Sequence, residues 1–393
     1  MSAQTSAEAS SGRAEDMVRV PADAVARQLT GIFRAWGMRE DIIGPTVETM
    51  VETDLRGIDS HGIAMIMRYE EMRDLGNLNM TPDIRILRET PAIAAMDADH
   101  AIGHAPSVQA IELACDKAAE VGVGVVTVRN SNHFGPAGAY PLRAARRGFI
   151  GMAGTGGTAI SRCIPPTRGR ESMFATNPLA FAAPAKRNKH FVLDFATSTV
   201  AAGKVKLCWL NDKPVPDGWV LDENGLSVTD AAKAYEYSVR HVEGGLTPLG
   251  GTADMSSHKG YGLAAMVDIL SSTLAAACYM PGRKDASPEG GIGHFFMAMD
   301  PKAFRDDGEF EADLDDMIDA LHACTPIDPD LPVLVHGDPE WTSQAEREAN
   351  GIPLPKKLVA LVHEIAGRCG AEFTLGAAPA ASTGSMWGKS AAS

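Results

Sequence analysis

The sequence predicts an α/β protein, and three observations support this fold class. Helix-like and strand-like segments alternate along the chain, as they do in proteins of this class. Of the 393 residues, 45% are hydrophobic and 22% are charged, which is ordinary globular composition for a chain of two or three domains. The longest apolar stretch, residues 263–278, is too short to cross a bilayer and contains Asp268, so it predicts a buried core helix.

The first third of the chain is predicted to be mainly helical. Apolar residues recur at helical spacing in residues 20–36, 41–55, 64–75 and 107–121. Gly122 follows the last of these segments and is typical of a residue that ends a helix.

The remaining elements are predicted from apolar runs that Gly and Pro separate. Strands are expected in four segments, 123–128, 149–153, 179–183 and 191–195. Helices are expected over 136–145, over 200–210, from Lys259 onward and over 355–368, although Pro141 weakens the first. Residues 281–293 are rich in Gly and Pro and predict a long loop.

A glycine-rich segment matches a dinucleotide-binding pattern but lacks the structure that this pattern needs. Residues 154–159 read G-T-G-G-T-A after a predicted strand. In a Rossmann fold a helix follows directly, and its N-terminus faces the pyrophosphate. Pro165 and Pro166 make such a helix unfavourable here, so the sequence predicts no Rossmann crossover. The glycines can still let the backbone approach a ligand.

Charge and cysteine usage exclude several classes of protein. Lys and Arg number 36 against 50 Asp and Glu, a net charge of −14, which disfavours nucleic acid and anionic membranes as partners. The six cysteines include no C-x-x-C pair, and the N-terminus has no apolar signal segment. We therefore expect a cytoplasmic protein with reduced thiols.

Two histidines lie in segments where they could exchange protons. His61 follows Ser60, and His133 comes just after the strand 123–128, at the kind of strand end where ligands bind in α/β sheets. Histidine titrates near neutral pH and can give or take the proton that accompanies hydride transfer. Either could instead be a structural loop histidine. Zinc is not expected, because no third ligand shows metal spacing.

Three further segments combine polar groups with apolar elements. Asp194 lies in an apolar strand, where burial would require a partner such as His or Lys. Lys259 and its small neighbours at a helix start suit a phosphate or a carboxylate. Thr176 and Asn177 precede a strand, where a plain turn also explains them. Asp194 could instead have a purely structural role, and Lys259 could be a solvated surface charge. An α/β-hydrolase is disfavoured because no G-x-S-x-G occurs.

Taken together, eight short segments resemble, in order, the type-2 malate/L-lactate dehydrogenase family, which is distinct from the Rossmann lactate dehydrogenases. The resemblance covers about residues 20–370. The segments are Asp59-Ser60-His61-Gly62, Ser131-Asn132-His133-Phe134-Gly135, Thr176-Asn177-Pro178, Asp194-Phe195-Ala196-Thr197-Ser198, Pro248-Leu249-Gly250-Gly251, His258-Lys259-Gly260-Tyr261-Gly262, Gly293-His294-Phe295-Phe296 and Gly337-Asp338-Pro339-Glu340. The family includes malate, lactate, sulfolactate, ureidoglycolate and 2,3-diketogulonate dehydrogenases and reductases of cyclic imino acids.

The resemblance implies a family-specific, non-Rossmann NAD(P)-binding α/β fold with a helical N-terminal part and a central mixed sheet domain, usually in a homodimer. It implies NAD or NADP as cofactor and a small 2-oxo or 2-hydroxy acid as substrate. The expected organisation is a disordered tail of residues 1–18, a helical substrate-side domain of 19–130 with 300–376, a cofactor-binding domain of 131–299, and a disordered tail of 377–393.

The resemblance also implies roles for single residues. His133 matches the family's proton donor and acceptor. Ser60 and His61 would lie by the substrate, and in some relatives this pair is assigned to a proton relay with a buried aspartate. Asp194 would orient a histidine or bond the nicotinamide amide. The expected cofactor contacts are Gly157, Thr158, Asp194, Phe195, Ala196, His258 and Lys259, and the expected substrate contacts are His61, Arg68, Thr176 and Asn177.

Three departures from the family pattern bear on substrate and cofactor preference. Many relatives carry an arginine four residues after the first histidine, where this chain has Met65, and Arg68 could grip a substrate carboxylate instead. Relatives often have Asn-Ser where this chain has Gly156 and Gly157. Residues 252–257 look inserted.

Two other functions stay open on the sequence. A reductase of a cyclic imino acid would share the fold and cofactor but would need a proton source suited to nitrogen. A non-catalytic nucleotide-binding relative is disfavoured because His61, His133, Asp194 and Lys259 occur together.

Overall fold

The computed structural model describes residues 16–158, 161–240, 242–278 and 291–376. Within them the chain forms two compact units, one of residues 16–74 with 342–376 and one of residues 75–341. The predicted tails lie outside the described residues except for 16–18, of which Met17 and Val18 begin a strand. None of the described helices combines the length and hydropathy that crossing a bilayer requires.

The first unit is built from helices and one strand pair. Its helices are α1 (Ala22–Ala35), α2 (Glu40–Leu55), α3 (Ile66–Asp74) and α11 (Lys356–Cys369), and α10 (Asp338–Asn350) begins in the second unit. Strands β1 (Met17–Val20) and β11 (Ile352–Pro355) pair antiparallel. The predicted helices 20–36, 41–55, 64–75 and 355–368 are confirmed. In α1, Leu29, Ile32 and Phe33 are completely buried, as the helical spacing predicts.

The second unit is centred on a seven-stranded mixed sheet. Its strands are β2 (Arg85–Glu89), β3 (Ile93–Asp97), β4 (Val123–Ser131), β5 (Ile150–Thr155), β6 (Leu179–Ala183), β7 (Phe191–Phe195) and β10 (Ile292–Met299). They lie in the order β2-β3-β4-β10-β5-β6-β7, and among the neighbouring strands of this sheet only the β3–β4 pair is parallel. The predicted α/β class with a central mixed sheet is therefore confirmed.

Helices cover this sheet, and a smaller module extends from it. The helices that pack near the sheet are α4 (His104–Val121), α5 (Ala139–Arg146), α8 (His258–Asp268) and α9 (Glu309–His322), and those of the module are α6 (Ala202–Leu210) and α7 (Ala231–Arg240). Phe134, Tyr140 and Phe296 pack in the core on the sheet. Gly122 ends α4 with a φ of +87°, as predicted. The module contains α6, α7 and the short strands β8 (Val220–Leu221) and β9 (Gly245–Leu246), with a core of its own.

The glycine-rich segment forms no Rossmann crossover. Strand β5 ends at Thr155, and the described residues between β5 and β6 form no α-helix, which confirms the prediction. Gly156 lies against the Ser272 hydroxyl and Gly157 against Ala175, so a side chain at either position would collide with its neighbour. These contacts give a steric reason for glycine at both positions.

Two predicted boundaries are wrong. The helix that starts at α8 was expected to run to Cys278, but it ends at Asp268 and continues as a π-helical turn, Ile269–Thr273. Two serine hydroxyls in this turn, those of Ser271 and Ser272, bond back to the preceding helical residues and favour the irregular geometry. The loop expected over 281–293 ends earlier, because β10 begins at Ile292, and its residues 281–290 lie outside the described residues.

Candidate active site

The sheet topology brings the C-terminal ends of three strands to one edge of the sheet. This edge is formed by strand ends and is not the side along an outermost strand. Strands β4 and β5 are both antiparallel to β10, which lies between them, so their last residues, Ser131 and Thr155, reach the same edge. Strand β7 runs in the same direction as β5, and it ends there at Phe195. The segments that contain His133, Gly157 with Thr158, and Asp194 therefore meet at a single edge of the sheet.

The loop that carries His133 is tightly held. Asn132 is buried, and its Nδ2 donates to the carbonyls of His100 at 2.9 Å and Ala101 at 3.1 Å. The His133 carbonyl accepts from the Gly103 amide at 3.0 Å. The His133 ring is half-buried, and its Nδ1 accepts from the Gly135 amide at 3.3 Å. These bonds fix the backbone on both sides of a ring that can still be reached by a ligand.

Asp194 lies in the edge strand β7 and is exposed, so the expectation that it is buried is wrong. Its carboxylate accepts from the Gly138 amide at 2.7 Å, just before α5. A carboxylate at a helix N-terminus is stabilised by the helix dipole. Asp194 therefore links β7 to the segment that follows His133. The bond to the Gly138 amide is the contact of this carboxylate that positions it.

A network of backbone hydrogen bonds joins the other predicted segments in this unit. The Thr176 carbonyl accepts from the amide and the hydroxyl of Thr197, each at 2.9 Å, and the Thr197 carbonyl accepts from the Leu249 amide at 2.8 Å. Asn177 has a φ of +35°, and its Nδ2 donates to a carbonyl of α8 at 2.9 Å. The structure thus gathers Thr176, Asn177 and the 194–198 segment near α8.

Asn177 Oδ1 is a buried polar atom that a ligand could use. The residue is 1% exposed, and within the part of the chain that the structure describes this oxygen has no hydrogen-bond partner. A buried acceptor without a partner costs free energy of about 1–3 kcal/mol. An N–H donor from a bound molecule would remove that cost.

The start of α8 presents two side chains that can donate hydrogen bonds to an anion, His258 and Lys259, which are both exposed. The amides of Lys259, Gly260 and Tyr261 donate to backbone carbonyls. A phosphate here would therefore be bound by the side chains rather than by those amides. Residues 252–257, the predicted insertion, form a compact turn directly before these side chains.

Ser60, His61 and Arg68 belong to the first unit. Ser60 Oγ lies 2.8 Å from His61 Nδ1, and burial lowers the pKa of His61. A neutral His61 next to a hydroxyl can pass on a proton. Arg68 is exposed and pairs with Glu71 at 2.7 Å, so a substrate carboxylate would have to compete with that pair.

Two residues that the sequence did not single out support the Ser60-His61 loop. Asp54 is buried, its Oδ2 accepts from the Ile63 amide at 2.8 Å, and burial raises its pKa to about 7. Arg347 donates to the Asp54 carbonyl at 2.5 Å and pairs with Asp59. Asp54 matches the buried acid that a relay would need, but no local pattern distinguishes it from other helix acids.

Within the residues that the structure describes, no three His, Cys, Asp or Glu side chains form a group that could hold a metal ion. His61 and His133 lie in different compact units.

Comparison with known proteins identifies close relatives over most of the chain. A family model described as malate/L-lactate dehydrogenase matches residues 20–363. The malate dehydrogenase of Pyrococcus horikoshii is 35% identical over 360 residues, which are 91% of this chain and 97% of that protein. The L-sulfolactate dehydrogenase of Methanocaldococcus jannaschii is 34% identical over 341 residues, 86% of this chain and 94% of that protein.

A solved structure agrees with these matches. The malate dehydrogenase of Entamoeba histolytica is 29% identical, covers 91% of this chain and 99% of its own, and superimposes with a TM-score of 0.84. Sequence and structure therefore point to the same group of proteins.

Proposed function

We propose, since the chain belongs to the malate/L-lactate dehydrogenase family, that it transfers a hydride between NAD(P)H and a small 2-oxo or 2-hydroxy acid. The observation that carries the proposal is the single sheet edge at which His133, the Gly157-Thr158 loop and Asp194 meet. Hydride transfer needs a cofactor-binding surface next to a proton donor, and this edge supplies residues of both kinds.

The residues at this edge fit a nicotinamide cofactor. Asn177 Oδ1 can accept an N–H from a carboxamide, and His258 and Lys259 can bind phosphate oxygens. We assign Gly157, Thr158 and residues 194–196 to further cofactor contacts. When bound, the cofactor supplies or accepts the hydride. Either NAD or NADP satisfies this donor set.

His133 is the proposed proton donor and acceptor. In the reducing direction it gives a proton to the substrate oxygen, and in the oxidising direction it takes one back. Its half-buried ring on a fixed loop suits this task, because a positioned general acid contributes about 10²–10⁴ in rate. Asp194 is proposed to fix the Gly138 end of the same segment and so to act on position rather than on protons.

Substrate contacts are proposed for Ser60, His61, Arg68, Thr176 and Asn177. Of these, Ser60 and His61 already form a hydrogen-bonded pair, and Asp54 is proposed as the buried acid of their relay. A homodimer is also proposed. It is supported by an exposed apolar stripe on α8 and the turn after it, where Met266, Ile269 and Leu274 are 38%, 58% and 60% exposed. A cytoplasmic location stays a prediction from the sequence.

The test compares His133→Ala with a matched control. His133→Ala should lose about 10²-fold or more in kcat, while NAD(P)H binding measured by cofactor fluorescence stays near the wild-type value. His336→Ala removes an exposed histidine of the same unit and should change neither. Near-normal kcat in His133→Ala would show that another group moves the proton. Cofactor binding by the wild type without turnover of any 2-oxo acid or imine would indicate a binding protein.

A further inference from the structure

His294 is the central polar group of the sheet. It lies on β10, between β4 and β5, and it is completely buried. One ring nitrogen, Nε2, lies 2.8 Å from Ser131 Oγ, and the other, Nδ1, lies 2.8 Å from Thr155 Oγ1. A single ring thus joins the two neighbouring strands of β10.

The two hydroxyl residues are the last residues of their strands. Ser131 ends β4 two positions before His133, and Thr155 ends β5 two positions before Gly157. Both side chains are buried, so water does not compete for these hydrogen bonds. Any displacement of the His294 ring would therefore move the starting points of both loops.

The ring also contacts the residue after His133. It stacks on Phe134 with a centroid distance of 4.6 Å and an interplanar angle of 11°. Tyr140 also holds Phe134, because its ring packs on that of Phe134 at 5.0 Å and its hydroxyl donates a hydrogen bond to the Phe134 carbonyl. His133 is therefore flanked on the chain by Phe134, which His294 contacts directly, and by a segment that begins at Ser131.

The chemistry of the ring matches this bridging position. Burial lowers the pKa of His294 to about 3, so the imidazole is neutral at the pH of any assay near neutrality. A neutral imidazole has one donor and one acceptor nitrogen, and a hydroxyl can fill either role. The His294 ring and its two hydrogen bonds, to Ser131 and to Thr155, form what we call the bridge. The bridge therefore holds both hydroxyls without a buried charge.

We propose that His294 is a positioning residue that sets, through Ser131 and Thr155, the loop carrying the proton donor His133 and the loop carrying the cofactor contacts Gly157 and Thr158. This inference rests on the proposed function. It adds that the two loops are coupled, because the geometry of proton transfer and the geometry of cofactor binding both depend on the His294 side chain.

Three variants separate the two arms of the bridge. Ser131→Ala removes the arm toward His133, Thr155→Val removes the arm toward the cofactor loop, and His294→Phe removes both while keeping an aromatic ring against Phe134. Thr127→Val is the matched control, because Thr127 is a buried threonine of β4 that pairs with Phe295, and the hydrogen bonds of the His294 ring go to Ser131 and Thr155 instead. For each protein we would measure kcat, the Kd of NADH and NADPH by fluorescence, and the melting temperature.

Ser131→Ala should lower kcat about 10-fold with cofactor Kd within twofold of wild type, since misplacement of a reacting group costs up to about 100-fold in rate. Thr155→Val should raise the cofactor Kd several-fold with a smaller change in kcat. His294→Phe should show both effects, and Thr127→Val neither. A purely structural His294 would instead give melting temperatures that fall together in Ser131→Ala, Thr155→Val and His294→Phe, without this split between kcat and cofactor Kd.

Each possible result either supports or overturns the proposed positioning role of His294. The inference would be overturned if the wild type turns over a substrate and His294→Phe has a kcat and a cofactor Kd within twofold of the wild-type values. If His294→Phe does not fold, the split between Ser131→Ala and Thr155→Val carries the test, and its absence overturns the inference. If the wild type binds cofactor but turns over no substrate, the proposed function fails, and the cofactor Kd of Thr155→Val and His294→Phe still reports on the cofactor arm.

Discussion

The buried carboxyl of Asp54 should make the stability of the protein depend on pH in a defined direction. Asp54 accepts from the Ile63 amide, and burial raises its pKa from an ordinary value of 3.8 to about 7. Asp54→Asn keeps an oxygen for that amide and removes the ionisable group. The variant therefore isolates the cost of charging this site.

The magnitude follows from the difference between the folded and unfolded pKa values. Each pKa unit corresponds to about 1.4 kcal/mol, so a rise of about 3 units amounts to about 4 kcal/mol. Because the pKa of Asp54 is higher in the folded than in the unfolded protein, its protonated carboxyl makes its full contribution to folding stability below pH 3.8. That contribution is lost as the pH rises to about 7. Asp54→Asn should therefore match the wild type near pH 4 and exceed its stability by up to about 4 kcal/mol at pH 8.

The assay is urea unfolding followed by circular dichroism at pH 4 and pH 8 for both proteins. Asp41→Asn is a suitable control, because Arg39 lowers the pKa of this exposed carboxyl, so its contribution is lost only below about pH 3.8 and the effect of the substitution should be nearly the same at pH 4 and pH 8. An equal difference in stability between Asp54→Asn and the wild type at both pH values would refute the reasoning, since it would show that the pKa of this carboxyl is the same in the folded and the unfolded protein.

Three further substitutions test other contacts. Gly62→Ala places a methyl group on the Asp54 carboxyl and should cost about 1–3 kcal/mol in unfolding free energy, measured by urea denaturation. Asp194→Ala removes the acceptor for the Gly138 amide and should lower unfolding free energy by about 0.5–1 kcal/mol while reducing kcat more than cofactor affinity. Lys259→Met should weaken NAD(P)H binding about tenfold and flatten its salt dependence, measured by fluorescence titration at two ionic strengths. If one of these variants has the same unfolding free energy, kcat or cofactor affinity as the wild type where a change is expected, the role assigned to that contact is wrong.

Local sequence patterns predicted those elements that have one clear periodicity. Strands β6 and β7 were predicted with their observed bounds because each is a short, mostly apolar run, β6 between Pro178 and Pro184 and β7 directly after the polar residues 186–190. Strand β10 was missed, since both of its faces are buried and its run of apolar residues shows no alternation. Strand β2 was missed for the opposite reason, because all of its residues are exposed at the sheet edge.

The candidate site shows a second limit of sequence patterns. His133 could be singled out because it follows a recognisable strand. Asp194 was expected to be buried, and its exposure depends on β7 being an edge strand, which only the full sheet order reveals. His294 bonds to residues that lie 163 and 139 positions away, so no local spacing could identify its partners.

The central claim is tested most directly by following the oxidation of NADH and of NADPH by the purified protein across a panel of 2-oxo acids. The panel would include pyruvate, oxaloacetate, sulfopyruvate and branched or sugar-derived 2-oxo acids, with a cyclic imino acid in parallel. Turnover of at least one 2-oxo acid, lost in His133→Ala, is the result that the proposal predicts. Turnover of the imino acid alone would contradict it in favour of an imine reductase, and silence with every compound despite cofactor binding would contradict it in favour of a binding protein.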